Sequence, residues 1–310
     1  MNGGFIFFWE WEENFIATLQ SLGASETLGA FLVWLNNAFS FLGEEYVAVG
    51  VMGIVYWGID KKKGEMIGLA VVASLVGNVL LKNIVRRVRP WASSDKVELL
   101  RDVDGYSFPS AHSSSATSLY PTLAAEYRKH KWLRVVAVVV PLLIAFSRCY
   151  LGAHWPTDVI AGLLMGLCFC FLVEFVMPKI KNKYIVYIAL IVIGFLGMFY
   201  CTTEDYFTNY GILLGFASGI FFEDKIAKFE NTKSISFIAL RTVCGGILFV
   251  LLNTLIKLAL GGFFPEGSFS NLIFRTVRYA VIVFCVIGVY PMVFKPAESF
   301  LTKVFAKKGK

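Results

Sequence analysis

Long apolar runs separated by short polar segments constrain this chain more than any other feature of its sequence. The runs WLRVVAVVVPLLIAF and VIAGLLMGLCFCFLVEFVM, for example, flank one polar segment, SRCYLGAHWPTD at 147–158. A membrane-spanning helix needs about 20 apolar residues, and soluble domains carry roughly one quarter charged residues. The 310 residues here are 57% hydrophobic and only 16% charged. The sequence therefore predicts an all-α, polytopic membrane bundle rather than a soluble protein.

Apolar segments of suitable length predict about nine spans, at 43–59, 65–85, 111–128, 132–149, 156–177, 184–200, 207–222, 236–259 and 272–294. The region before them, 1–42, contains Trp9, Trp11 and several acids, which suit a membrane interface and its headgroup zone. We expect interfacial or re-entrant helices there. Because no basic segment precedes its apolar residues, no cleavable signal peptide is expected.

Basic residues are distributed asymmetrically between the loops. If the first span starts outside, more than half of the Lys and Arg residues fall in the inside loops and the C-terminal tail, and the first 60 residues contain none. This positive-inside pattern explains the net charge of +7 without a nucleic-acid partner, which we do not expect. The outer segment from Lys82 to Arg101 breaks the pattern with six basic residues, and Arg148 lies on the same side. An anionic ligand would account for these exceptions.

The first of three polar clusters is KNIVRRVRP, at the end of a predicted span. Lys82 and Arg89 are seven residues apart, about two helical turns, so they share one helix face. Pro90 then ends the helix. Cations at a helix C-terminus also complement the helix dipole and extend to the interface, which is the structural alternative.

The second cluster, FPSAHSSSATS, begins the next predicted span. Ser110 is a natural N-cap, and the free amides after it form an anion site at the helix start. His112 stands in the first turn, where it can reach a bound anion. The alternative is an ordinary capped helix with a histidine near water.

The third cluster is the segment 147–158. Gly152 permits a tight turn, and Pro156 suits the first turn of the following helix. His154 and Asp158 are four residues apart, so the aspartate can accept from one ring nitrogen and free the other. The alternative is a buried pair that stabilises a helix start, but ionisable groups beside membrane segments favour a functional role.

Together the clusters supply cations and helix-start amides for a tetrahedral dianion, and two histidines for nucleophilic attack and proton donation. The third histidine, His130, lies in a basic inner loop. No cluster of Asp, Glu, His or Cys offers a full metal-ligand set, and the six cysteines form no CxxC motif. The sequence thus indicates phosphoryl transfer through a phosphohistidine, and we expect neither a metal nor another cofactor.

Three motifs resemble the signatures of the type 2 phosphatidic acid phosphatase superfamily. They are K-x6-RP at 82–90, PSxH at 109–112 and SR-x5-H-x3-D at 147–158, with Ala111 where many members have glycine. The resemblance covers about residues 40–178 and implies a six-helix core. It further implies that His154 attacks phosphorus, that Asp158 holds His154, and that His112 protonates the leaving alkoxide. The phosphoryl oxygens would be bound by Lys82, Arg89, Ser110, Arg148 and the amide of Ala111.

We therefore predict three regions: the N-terminal region 1–42, a catalytic membrane core over 43–178, and a C-terminal transmembrane extension over 179–310. The extension, of about three or four helices, is similar in layout to sphingosine-phosphate phosphatases and some polyprenyl-phosphate relatives. Its cations either attract an anionic headgroup or extend to the interface; they are Arg241, Lys257, Arg275 and Arg278. The loop SSDKVELLRDVDGYSF is either a lid over the pocket or a solvated connector.

The predicted function is that of a multi-pass integral-membrane phosphatase in the lipid bilayer, in the cell membrane if the host is bacterial. It would hydrolyse the terminal phosphate of a lipid phosphate or diphosphate at the non-cytoplasmic face. Two alternatives remain open: a lipid phosphotransferase that uses the same intermediate, and a non-catalytic lipid transporter or scramblase. The sequence fixes neither the lipid nor the oligomeric state.

Overall fold

Twelve α-helices make up most of the chain in a computed structural model that describes residues 4–308. Their bounds are α1 Glu10–Ser21, α2 Glu26–Phe41, α3 Glu45–Gly53, α4 Lys61–Val85, α5 Ala111–Glu126, α6 Lys131–Tyr150, α7 Pro156–Phe171, α8 Tyr184–Leu196, α9 Glu204–Phe222, α10 Ile235–Leu260, α11 Phe269–Phe284 and α12 Phe294–Lys308. Short π-helical or 3-10 segments extend several of them. Between residues 4 and 308 the β-type pairing is limited to an isolated bridge between Phe5 and Arg87. The all-α prediction is confirmed.

Within residues 4–308, five elements are long and apolar enough to cross a membrane: Lys61–Val85, Lys131–Tyr150, Pro156–Lys179, Ile235–Phe263 and Phe269–Val304. A sixth span results if α2 and Glu45–Ile59, which meet at a 44° bend, are counted together. The other predicted spans also form helices, but Tyr184–Phe199 is short and α5 is rich in serine and threonine. The multi-pass prediction is confirmed, although fewer helices meet these criteria than the nine segments first counted.

The chain divides into two units, of which the first contains the three motifs. It comprises the residues up to Val49, Met66–Lys181 and Leu196–Tyr206. Its helices α5 and α7 approach closely because α7 presents glycines at a four-residue spacing. A Cβ on Gly162 would lie 2.5 Å from Ser110 O, and one on Gly166 would lie 2.1 Å from Thr117 Oγ1. Such small-residue contacts are typical of helix pairs in membranes.

The serine and threonine side chains of α5 between Ser113 and Thr122 are buried in the first unit, and several of them are hydrogen-bonded there. The buried set is Ser113, Ser114, Ser115, Thr117, Ser118 and Thr122. Asn78 of α4 donates to Ser114 Oγ at 3.2 Å, and Thr117 Oγ1 donates to Leu163 O of α7 at 2.9 Å. These bonds satisfy polar groups that would otherwise be costly to bury. They explain how α5, which was predicted as the span 111–128 but is more polar than the helices that meet the span criteria, lies in the interior.

The N-terminal region is packed into the first unit. Ile16 of α1 belongs to a buried cluster that includes Val97 and Trp155. Gln20 Nε2 donates to Glu98 O at 2.9 Å and to Tyr150 O at 3.0 Å. Two tryptophans of this region are about half exposed, Trp9 at 55% and Trp11 at 51%, as a membrane interface would favour.

The second unit comprises Gly50–Glu65, Asn182–Phe195 and the residues from Phe207 onward. Ion pairs join its segments at one cluster: Lys183 Nζ lies 2.8 Å from Glu65 Oε1 and 2.6 Å from Asp224 Oδ2. Lys61 Nζ pairs with Glu223 Oε1 at 2.8 Å. The cluster contains both signs of charge, so it needs no external counter-ion.

Helices α9, α10 and α11 belong to the second unit, and glycines again permit close contact. A Cβ on Gly211 would lie 2.4 Å from Thr276 O of α11. Arg241 of α10 pairs with Glu298 Oε1 at 2.6 Å and donates to Trp57 O at 2.6 Å. Arg241 therefore neither attracts an anionic headgroup nor extends to the interface. It links segments of the second unit.

The α5–α7 contact yields a stability prediction. We expect Gly166→Ala to lower the thermal-unfolding midpoint in detergent, because overpacking a close contact costs about 1–3 kcal/mol. Gly246→Ala in α10 is the matched control, since a Cβ there meets nothing within 4 Å. It should leave the midpoint unchanged or raise it. Equal stability of the two variants would contradict the close approach of α5 and α7.

Candidate active site

The connection between α6 and α7 carries His154, and a glycine fixes its course. Gly152 has φ +69°, and a Cβ there would lie 2.2 Å from Glu98 O, so only glycine fits. The N–H groups of Ala153 and His154 then donate to Arg148 O at 3.1 and 3.3 Å. The expected turn is present, and it places His154 in the interior with 1% of its surface exposed.

Asp158 lies in the first turn of α7 with both carboxylate oxygens bound. Its Oδ1 accepts from Arg87 Nη1 at 2.6 Å, and its Oδ2 accepts from Trp155 N at 2.9 Å and from Ser107 Oγ. His154 Nδ1 lies 3.7 Å from Oδ2, which is beyond hydrogen-bond length. Ser107 Oγ lies 3.4 Å from Nδ1, so this hydroxyl links the predicted pair by donating to Asp158 and accepting from Nδ1–H.

A proton on Nδ1 leaves Nε2 of His154 as the unprotonated nitrogen, 3.4 Å from Arg89 Nη1. Burial lowers the pKa of His154 well below its ordinary value, and the positive charges of Arg89, Arg148 and Lys82 lower this pKa further. The imidazole is therefore neutral at neutral pH. This is the form in which a histidine can act as a nucleophile.

Helix α4 ends at Val85, four residues before Arg89, whose backbone is extended, so the prediction that Lys82 and Arg89 share one helix face is wrong. Backbone carbonyls hold the Arg89 side chain instead. Its Nε donates to Gly105 O at 2.9 Å, its Nη1 to Ala153 O at 2.8 Å, and its Nη2 to Asp104 O. Burial lowers the pKa of Arg89 to about 10, so it stays cationic at neutral pH. Because these acceptors are neutral carbonyls, they orient the guanidinium without cancelling its charge.

Arg148 and Lys82 are the other two predicted phosphate-binding cations. Arg148, in the last turn of α6, is 1% exposed and donates from Nη1 to Ser40 Oγ at 2.7 Å. Its Nε has no hydrogen-bond partner within residues 4–308. Lys82 lies in the last turn of α4 and is 8% exposed. A buried guanidinium whose partner is a hydroxyl keeps its charge available for an anion.

The start of α5 meets the start of α7. Ser110 is the N-cap of α5, as predicted, and its N–H donates to Asp158 O at 3.0 Å. Ala111 is the first residue of the helix, where N–H groups lack an intrahelical acceptor. His112 in the first turn has 21% of its side chain exposed, and its Nε2 lies 3.3 Å from Glu44 Oε1. The amide and the second histidine thus come from the same helix end.

Arg87 and Glu12 are central to this site, although the sequence analysis assigned them no role. Arg87, 1% exposed, donates to Glu12 Oε2 at 2.7 Å, to Asp158 Oδ1 at 2.6 Å and to Phe7 O at 2.9 Å. Glu12 is fully buried and also accepts from Thr157 N and Oγ1 at 3.1 and 2.6 Å. The interpretation of the N-terminal acids as headgroup-zone residues is therefore wrong for Glu12. In the sequence, Arg87 stands out only as one of the six basic residues of the outer segment from Lys82 to Arg101.

The loop SSDKVELLRDVDGYSF is bonded to the site along its length. Glu98 N donates to Gln20 Oε1 at 3.0 Å, and Leu100 N donates to Leu151 O at 3.3 Å. Its carbonyls hold Arg89, and its last serine holds Asp158, as described above. Because of these hydrogen bonds, the loop is an ordered part of the site rather than a solvated connector.

Comparison with known proteins identifies the family. The model of the PAP2 superfamily matches residues 66–182, which include all three motifs, and the model described as PAP2 superfamily phosphatase, transmembrane extension, matches residues 207–299. Phosphatidylglycerophosphatase B of Bacillus subtilis (strain 168) is 30% identical over 180 residues, which cover 56% of this chain and 78% of that protein. The chain belongs to the PAP2 superfamily.

Other members of the PAP2 superfamily are similar as well. Undecaprenyl-diphosphatase of Sulfolobus acidocaldarius is 31% identical over 151 residues, covering 47% of this chain and 69% of that protein. The crystal structure of Aquifex aeolicus LpxE aligns with a TM-score of 0.47 and 23% identity, covering 53% of this chain and 95% of that one. The resemblance noted in the sequence is confirmed, and so is the presence of a C-terminal transmembrane extension. The protein is thus a multi-pass membrane member of a lipid phosphatase family.

The buried pair of Glu12 with Arg87 yields a second prediction. We expect Glu12→Ala to lower the unfolding free energy by about 3–5 kcal/mol, because it leaves a buried guanidinium without one of its counter-ions. The adjacent Glu13 is the matched control: its partner is the exposed Lys96, at 2.8 Å. Glu13→Ala should change the thermal-unfolding midpoint little. A Glu12→Ala protein as stable as Glu13→Ala would contradict the buried ion pair.

The neutral state of His154 yields a third prediction. An unfolded imidazole has its ordinary pKa of about 6.5, whereas the pKa of His154 in the folded protein is lower. The unfolded state therefore binds more protons, and stability falls as the pH drops below about 6.5. We expect the unfolding midpoint of His154→Gln to fall less steeply than that of the wild type between about pH 7 and pH 5. His130→Gln, at an exposed position, should keep the wild-type slope.

Proposed function

We propose that this protein is an integral-membrane phosphatase that removes the terminal phosphate of a lipid phosphate or diphosphate through a phosphohistidine on His154. The observation that carries the proposal is a buried, neutral imidazole whose Nε2 faces Arg89 at 3.4 Å beside the start of α5. Two relatives support the substrate class, since their names are phosphatidylglycerophosphatase B and undecaprenyl-diphosphatase. Both kinds of substrate end in a phosphoryl group on a lipid.

In the proposed mechanism, the phosphoryl oxygens bind to five groups of the first unit: Lys82, Arg89, Arg148, the Ser110 hydroxyl and the Ala111 amide. His154 Nε2 attacks phosphorus, and the bond from phosphorus to the leaving oxygen breaks. His112 donates a proton to that oxygen. The buried cations stabilise the negative charge on the transferring phosphoryl group. Such stabilisation is the main requirement of phosphoryl transfer.

Asp158 and Ser107 act on His154 rather than on phosphate. When Nε2 bonds to phosphorus, the imidazole becomes cationic, and the carboxylate of Asp158 at 3.7 Å stabilises that charge. The bridge through Ser107 keeps the Nδ1 proton in place. In the second step water attacks the phosphohistidine, His112 takes the proton of the water, and inorganic phosphate leaves. His154 returns to its neutral form.

We further propose that the reaction takes place at the non-cytoplasmic face and needs no metal. The basic loops support the orientation, because they lie at the opposite ends of the spans from the three motifs. Among residues 4–308, no group of three or more His, Cys, Asp or Glu side chains is arranged to hold a metal ion. The cations of the site supply the charge that a metal would otherwise provide.

The test is release of inorganic phosphate by the detergent-purified protein, in EDTA, from phosphatidate, a sphingoid-base phosphate, polyprenyl mono- and diphosphates and phosphatidylglycerol phosphate. We expect turnover of at least one lipid class, and its loss in His154→Ala with the fold retained. His130→Ala is the matched control and should keep wild-type turnover. Retained turnover in His154→Ala would exclude the mechanism. If the folded wild type releases phosphate from none of these lipids, phosphotransfer or transport would be favoured instead.

The intermediate is tested separately by brief reaction with a substrate labelled in its terminal phosphoryl group. We expect label on the wild-type protein that is stable in alkali and lost in acid, as for a phosphoramidate, and none on His154→Ala. Label that survives on His154→Ala would place the covalent bond on another residue.

A further inference from the structure

A carboxylate stands beside the candidate proton donor of a site that is otherwise cationic. Glu44 Oε1 lies 3.3 Å from His112 Nε2 and accepts a hydrogen bond from Arg101 Nη2. We infer that Glu44 is a specificity-determining residue, which selects lipid phosphate monoesters whose leaving group carries a hydroxyl or ammonium group beside the scissile oxygen. The inference rests on the proposed function, because it takes His112 as the group that protonates that oxygen.

The position of Glu44 is set by the backbone of the turn between α2 and α3. Tyr120 Oη of α5 donates to Leu42 O at 2.8 Å. A Cβ on Gly43 would lie 3.3 Å from His112 Cβ, so this turn packs directly on the first turn of α5. The backbone of the turn that carries Glu44 is therefore held beside His112 by packing and does not depend on the ion pair for that position. Its place in the site is built into the fold.

One oxygen of Glu44 is free to accept a further hydrogen bond. Both ionic contacts use Oε1, and Oε2 has no hydrogen bond to any residue between 4 and 308. The side chains of Glu44 and His112 are each 21% exposed, whereas that of His154 is 2% exposed. Glu44 and His112 thus lie on a more open side of the site than the buried nucleophile.

The leaving group meets this side of the site. In an in-line displacement the leaving oxygen lies opposite the nucleophile, so a group beside His112 meets the leaving group rather than the transferred phosphoryl. A carboxylate accepts strongly from a hydroxyl or ammonium donor, and the donor that we assign to Glu44 lies on the second carbon from the scissile oxygen. The leaving group of a lipid diphosphate is itself a phosphate anion, which Glu44 repels. The leaving group of phosphatidate has an ester at that carbon and offers no donor.

The test compares kcat/KM for three lipids in the full-length protein. Phosphatidylglycerol phosphate has a hydroxyl beside the scissile oxygen, phosphatidate with the same acyl chains has none, and undecaprenyl diphosphate has an anionic leaving group. In Glu44→Gln we expect the ratio of phosphatidylglycerol phosphate to phosphatidate to fall about tenfold, because a charge-assisted hydrogen bond is lost. Turnover of the diphosphate should rise relative to both.

Glu13→Gln is the matched control. Like Glu44, Glu13 pairs with a cation of the loop between α4 and α5, but its partners are Lys96 and Ser94 rather than site residues. It should keep the wild-type ratios. An equal loss on all three lipids in Glu44→Gln would overturn the inference, because Glu44 would then position His112 without contacting the leaving group.

A second variant makes the test independent of the first. Arg101→Gln removes the cation that offsets Glu44, so the preference for phosphatidylglycerol phosphate over the diphosphate should increase. A preference that stays constant or falls contradicts the inference. If the wild type releases phosphate from none of the lipids, the proposed function fails and the inference fails with it. If the wild type is active but neither variant changes the kcat/KM ratios between the lipids, the inference is wrong and the proposed function still stands.

Discussion

The guanidinium of Arg87 is the contact on which the rest of the first unit depends. It binds Glu12 of α1 and Asp158 of α7, both fully buried, and aromatic rings cover it, with Phe7 at 4.9 Å and Trp155 at 5.3 Å. Charges away from water are costly unless they are paired and hydrogen-bonded, so these three segments hold one another in place. The orientation of Asp158, and through it that of the candidate nucleophile, thus depends on an arginine that takes no part in binding phosphate.

The arginines of the site fall into two groups according to their partners. Arg87 is neutralised by two carboxylates, whereas the contacts of Arg89 are carbonyls and that of Arg148 is a hydroxyl. Neutral acceptors fix the direction of a guanidinium and leave its charge for an anion. Another carboxylate, that of Glu44, lies beside His112 at the more open side of the site. Because the buried acids pair with Arg87 and not with Arg89 or Arg148, the pocket around Arg89 and Arg148 stays cationic.

Local spacing explains which parts of the site the sequence predicted. The four-residue step from His154 to Asp158, the N-cap Ser110 and the turn at Gly152 are each defined within a few residues, so the pattern alone indicates them. The direct hydrogen bond expected from His154 to Asp158 is replaced by a bridge through Ser107, 47 residues from His154, which no local pattern indicates. Glu12, Ser40 and Glu44 were missed for the same reason, since their partners lie far along the chain.

Helix type was easier to predict than the number of spans. The apolar stretches over α4, α6, α7, α10 and α11 have the length and composition of spans in both the sequence and the structure. Helix α5 differs because its Ser114 bonds to α4 and its Thr117 to α7, which lowers the cost of burying these hydroxyls. The sequence shows which side chains of a helix are polar, but it does not show whether a neighbouring helix provides their hydrogen-bond partners.

The long sequence separations within the site have a consequence for biosynthesis. Glu12 and Arg87 are 75 residues apart, and Glu12 and Thr157 are 145 residues apart. At a synthesis rate of about 5–20 residues per second, Thr157 follows Glu12 by roughly 7–30 s. Of the two native partners of this ion-pair cluster, Arg87 is synthesised before Asp158, so the Glu12–Arg87 pair can form first. The site closes only when α7 has been made, so the order of translation also sets the order in which its charges are matched.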